Sequence, residues 1–181
     1  TYVGTDVVLN AGAIQRGYGG KVIVWADDHT TFLGTIMARG AGYRGHGGFA
    51  EVSGKKTLQF AGRVRMGGSQ GGRFGQLLLD PSDITINNNT DNNIAEAAGI
   101  FTGTDPLDST LGIDHINDIL DDGVNVTVTT ANGLGGNGNI TWNASDPIDN
   151  DGNGTSLTLT AVGLNAANGN ITFTQSPTFD A

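Results

Sequence analysis

The segment Gly20-Lys21-Val22-Ile23-Val24 returns 28 residues later as Gly48-Phe49-Ala50-Glu51-Val52, and 27 residues after that as Gly75-Gln76-Leu77-Leu78-Leu79. A second segment repeats in step, Phe32-Leu33-Gly34-Thr35-Ile36 recurring as Phe60-Ala61-Gly62-Arg63-Val64. A fixed period near 28 with short alternating strands points to a solenoid, because each repeat carries an apolar face that only its neighbours can cover. Side chains alternate along a strand, so Val22 and Val24, Ala50 and Val52, and Leu77 and Leu79 share one face. Stacked coil on coil, these six form an inward apolar ladder. Phe32 with Phe60, Ile36 with Val64, and Ala38 with Met66 form a second ladder on another face. Gly34 and Gly62 sit within the strands of this second repeat, where glycine often marks a tight bend or a bulge.

The rest of the chain extends the pattern with one interruption. Asp80-Pro81-Ser82-Asp83 reads as a turn before a strand at Ile84-Thr85-Ile86, and the Asn-rich tract 87–93 as a surface loop. No repeat is visible between Ile94 and Asp108. Ile113, Ile116, Ile119 and Leu120 then recur at helical spacing, with Gly123 after them, which predicts a short amphipathic helix near 113–121 with a glycine stop. Asp121 and Asp122 oppose the dipole of such a helix, so packing must hold it against the solenoid. A second repeat follows, with period 31: Val124–Thr129 matches Thr155–Thr160, and Gly138–Trp142 matches Gly169–Phe173. The expectation is an all-β chain, a parallel β-helix of about 28–31 residues per coil with one short covering helix. Residues 1–86 form strongly repeating coils, 87–123 a loop and helix insertion, and 124–181 a continuation of the same solenoid.

Composition agrees. Thirty glycines and few charged residues among 181 suit strands punctuated by turns. With no cysteine, disulfides and thiolate metal sites are excluded. No apolar run approaches the length of a membrane-spanning helix. The chain begins at Thr1 without a signal peptide, which suggests a processed protein or a segment of a larger one. All nine Lys and Arg fall between Arg16 and Arg73; with four acids through Leu79 that part carries 9 − 4 = +5, whereas fourteen acids and no base follow from Asp80, giving −14. The acidic half repels nucleic acid and anionic lipid, so no nucleic-acid partner is expected.

Several runs resemble the filamentous-haemagglutinin-type exoproteins, the two-partner-secretion adhesin family. They are Gly19–Ala26, Phe32–Gly40, Gly47–Lys55 and Leu77–Ile86, with the Val-Thr-Val-Thr and Gly-Asn-Ile-Thr coils in the same style. The likeness is strong over residues 5–86 and looser over 109–175. It implies a right-handed parallel β-helix, secretion to the surface of a Gram-negative bacterium through an outer-membrane transporter, and a role in adhesion, aggregation or biofilm. The family's N-terminal secretion domain is not visible, so the chain reads as an internal or C-terminal stretch.

Candidate sites are sparse. Asp149-Asn150-Asp151-Gly152-Asn153-Gly154 has the first half of a calcium loop, with Asp149, Asp151 and Asn153 as the oxygen ligands. The closing glutamate is missing, its place taken by Thr160, and an acidic Asn/Gly turn between coils is the favoured reading of the run. His29, His46 and His115 lack metal-ligand spacing. Asp27, Asp28 and Glu51 could approach each other across adjacent coils, with Arg39, Arg44 and Lys55 supplying nearby bases. A carbohydrate-binding or polysaccharide-degrading β-helix is therefore the competing class, though fold analogy is a weak warrant for it and no catalytic role is assigned. Trp25 and Trp142 read as outward or corner residues. Six Asn-x-Ser/Thr sequons begin at Asn88, Asn125, Asn139, Asn143, Asn153 and Asn170. Both solenoid ends lack an evident cap, which favours a longer rod or copies stacked head to tail, basic half to acidic half. The expected protein is a structural one, an adhesin stalk or filament subunit, with a host or matrix glycan as the possible ligand.

Overall fold

The structure, a computed structural model, describes residues 1–88, 96–97, 100–101, 109–131, 136–149, 154–163 and 169–179. The chain winds as a parallel β-solenoid of about five turns. A short opening coil holds β1 (Tyr2–Val3) and β2 (Val8–Asn10). The next two coils each supply three strands. β3 (Lys21–Ala26), β4 (His29–Phe32) and β5 (Thr35–Met37) make one, and β6 (Phe49–Gly54), β7 (Thr57–Phe60) and β8 (Arg63–Arg65) the other. β9 (Gly75–Asp80) and β10 (Ile84–Asn87) follow. An antiparallel pair, β11 (Glu96–Ala97) and β12 (Ile100–Phe101), stands apart. β13 (Thr110–Gly112) leads into α1 (Ile113–Asp121). Two further coils hold β14 (Val124–Thr129) with β15 (Ile140–Asn143), and β16 (Leu157–Thr160) with β17 (Ile171–Phe173).

These strands stack into three parallel walls: five strands (β16-β14-β9-β6-β3), seven (β1-β4-β7-β13-β10-β15-β17) and three (β2-β5-β8). The registers are those the repeats predict. Val22 lies beside Ala50 and Val24 beside Val52; Ala50 and Val52 lie beside Leu77 and Leu79. In the later coils Val126 meets Leu157, and Ile140 and Trp142 meet Ile171 and Phe173. Val52, Leu77 and Leu79 are fully buried, whereas Val22, on β3 at the edge of the five-stranded wall, is half-buried. A buried aliphatic side chain of this kind contributes about 1.5–3 kcal/mol, so the ladder is the main apolar support of the wall.

The second ladder belongs to two walls instead of one face. Phe32 and Phe60 stack in the seven-stranded wall, ring centroids 5.5 Å apart and 7° from parallel. Ile36 and Val64 pair in the three-stranded wall. The reason is the corner between them, where Gly34 and Gly62 lie outside the strands that the sequence suggested they interrupt. A Cβ on Gly62 would overlap the Phe32 ring and sit 2.7 Å from Gly34 O. The glycine is needed so the corner can close over the aromatic stack.

The insertion also departs from its expected form. Residues 110–112 do more than lead into a covering helix: β13 wedges between β7 and β10, so the strands of those successive coils never pair. Leu111 enters the wall's inward ladder between Phe60 and Ile86, which continues through Trp142 to Phe173. α1 packs on β8, where the three-stranded wall would otherwise gain another strand. Its Ile113, Ile116, Ile119 and Leu120 are buried as their spacing predicts. Gly123, at φ 74°, ends it, donating to Leu120 O at 3.0 Å. The unfavourable acid at the helix end is compensated by two arginines: Arg39, just past β5, meets Asp122 at 2.8 Å, and Arg65 of β8 approaches it at 3.9 Å.

Candidate functional site

The acids singled out from sequence are each engaged by a local partner. Lys55 Nζ donates to Asp27 Oδ1 at 2.9 Å, bridging two coils, and Lys56 pairs with Asp28. Lys56 holds the exposed Asp28 carboxyl below the usual carboxylate range, first through their hydrogen bond and then through charge attraction. Glu51 Oε1 accepts from Ser53 Oγ at 3.0 Å. Each of the three acids thus has its own local partner.

The histidines likewise serve different coils. His29 Nδ1 lies 2.6 Å from Thr57 Oγ1. His46 Nδ1 accepts the Arg73 backbone N–H at 3.0 Å while its ring stacks on Tyr18, centroids 4.3 Å apart. Among the described residues no cluster of three His, Cys, Asp or Glu converges to hold a metal. Of the calcium-loop residues only Asp149 is described; Asp151 and Asn153 lie outside the described residues. The Asp149 N–H donates to Asn117 Oδ1 at 3.1 Å, and Asn117 Nδ2 donates to Pro147 O at 3.0 Å, tying that turn to α1.

The two tryptophans differ from one another. Trp25 faces outward at 44% exposure with Lys55 Nζ 4.6 Å from its ring centroid. Trp142 is in the core, 1% exposed, its Nε1–H donating to Ala144 O at 3.0 Å. The outward assignment fails for Trp142 because it lies two residues after the inward Ile140, on the same face of β15.

The outermost described strands of the walls expose apolar side chains. β16 and β17 are edges at one end, β3 and β1 at the other. In the coil before the last, Ile140 and Trp142 are 0% and 1% exposed; their counterparts on the last coil, Ile171 and Phe173, are 40% and 51% exposed. A polar ladder runs to the same end. Asp83 Oδ1 accepts the Asn139 N–H at 2.6 Å, and Asn139 Oδ1 accepts the Asn170 N–H at 3.0 Å. Asn125 Oδ1 does the same for Ser156, at 2.9 Å. Each side chain thus caps a backbone donor of the following coil, and Asn170, next in the series, is exposed on the last one. The sequons at Asn125 and Asn139 coincide with these ladder positions, which gives those residues a structural use. The sequence did not reveal this ladder, although the 31-residue spacing of Asn139 and Asn170 carries the signal.

Compared with known family models, curated proteins and solved structures, the chain has no match.

Proposed function

We propose that this chain is a structural module of a secreted cell-surface protein, an adhesin stalk or the subunit of an extracellular filament acting in adhesion, aggregation or biofilm. The observation that supports this reading is the exposed face of the coil that holds β16 and β17, where Ile171 and Phe173 repeat the inward positions of Ile140 and Trp142 yet are 40% and 51% exposed. A further parallel coil would bury them and pair the edges of β16 and β17. The uneven charge, +5 through Leu79 and −14 beyond, favours contact between unlike ends of neighbouring copies. A head-to-tail contact is heterologous and does not close, so it builds a filament. The resemblance to filamentous-haemagglutinin-type exoproteins agrees with this reading and supplies its secreted location and transporter.

Sedimentation of the purified chain over a concentration series tests it. Growing oligomers for the native chain, and a monomer for Phe173→Asp, support the proposal. Identical sedimentation of both at all concentrations refutes end-to-end assembly.

A further inference from the structure

A groove of about 760 Å³ runs along the outside of the solenoid at the corner before the five-stranded wall. One side is a register-matched row: Lys21 beside Phe49, Phe49 beside Gln76, and Gln76 beside Asn125. The other side carries the stacked Tyr18 and His46 rings, then Arg73 and Phe74. Between them the lining is glycine, at 19–20, 47–48 and 72. A Cβ on Gly19 or Gly47 would overlap backbone of the neighbouring coil, so close coil packing itself leaves this floor bare of side chains.

The chemistry of the lining is selective. Aromatic side chains line both sides, with Tyr18 66% and Phe74 38% exposed, and among the described residues no acid lines the groove although the chain's net charge is −9. Lys21 and Arg73 are both exposed, and neither enters a salt bridge among the described residues. The Lys21 ammonium lies 5.1 Å from the Phe49 ring centroid. Because His46 Nδ1 accepts the Arg73 N–H, the ring's proton is on Nε2, which leaves a donor besides the cations. Three coil spacings of ~4.8 Å make the row of Lys21, Phe49, Gln76 and Asn125 roughly 14 Å long.

We infer that this groove binds an extended acidic oligosaccharide, its sugar faces on the aromatic rings and its carboxylates on Lys21 and Arg73. Flat apolar rings receive the C–H faces of a sugar, a side-chain-free floor admits a continuous chain, and the guanidinium fork of Arg73 matches a carboxylate. The site is on the lateral wall, so it goes beyond the proposed filament and does not depend on it.

Calorimetric titration of the full chain with an oligogalacturonide, a neutral cello-oligosaccharide of equal length and single-stranded DNA tests the inference. The expected result is binding of the uronate chain, weakened by salt, with the neutral sugar markedly weaker and the DNA not bound. Lys21→Gln with Arg73→Gln should weaken uronate binding roughly tenfold or more, and Tyr18→Ala should weaken it too, while Arg63→Gln, outside the groove, should not. Phe173→Asp should bind uronate as the native chain does, which separates this site from end-to-end assembly. No uronate binding, equal affinity for the neutral sugar, equal affinity for DNA, or indifference to the Lys21 and Arg73 substitutions would each overturn it.

Discussion

Ser109 Oγ accepts the Leu58 N–H at 3.0 Å across 51 residues of sequence. This bond joins β7 to the start of a strand that arrives after the following coil has been laid down. The wall thus depends on a late segment for its continuity, and Leu111 fills the layer between Phe60 and Ile86. Leu111→Ala should cost about 2–5 kcal/mol in chemical denaturation, the range for a cavity at a fully buried leucine. A loss below about 0.5 kcal/mol would show that the wedge is dispensable.

Val52→Asp places a charge between Val24 and Leu79 in the apolar ladder and should prevent folding under native conditions. The neighbouring Glu51 points outward, and Glu51→Ala, which removes its hydrogen bond with Ser53, should cost only about 0.5–1.5 kcal/mol. Circular dichroism and thermal melting separate the two. Equal tolerance of both changes would reverse the inward and outward assignment of this strand.

Gly62→Val drives a branched side chain against the Phe32 ring and the Gly34 carbonyl. The expected destabilisation is about 1–3 kcal/mol, as for overpacking of a closed site. An unchanged melting temperature would mean that the corner opens without cost.

Asp28 should titrate below the ordinary aspartate range, and Lys56→Met should raise its midpoint. A depressed folded-state pKa contributes stability above the unfolded value that is lost as pH falls through the folded value. For so exposed a carboxyl the consequence is a shifted titration rather than acid unfolding. Carboxyl carbon NMR reads the midpoint directly, and the same midpoint in both proteins would deny the ion pair its role.

How much of this was legible depended on whether the signal was periodic. Val22, Val24, Ala50, Val52, Leu77 and Leu79 repeat at fixed spacing, so their alignment in sequence is their register in space. The helix followed from Ile113, Ile116 and Ile119. β13 left no trace because Thr110-Leu111-Gly112 repeats nothing, and its place is set by contacts 51 residues away. The division of Phe32 from Ile36 between two walls was hidden for another reason: alternation gives the face of a strand, not the angle of the corner after it. The lateral groove was partly legible. Tyr18 and His46, and Lys21 and Phe49, are each 28 residues apart, but their differing chemistry concealed the shared position.

Electron microscopy of the native chain at low and high salt bears most directly on whether its coils are built to continue. Seven strands at ~4.8 Å spacing give a unit of roughly 30 Å. The expected result is filaments with that axial repeat at low salt, shortening as salt screens the unlike ends. Isolated rods of one-molecule length at every concentration and salt level would contradict it.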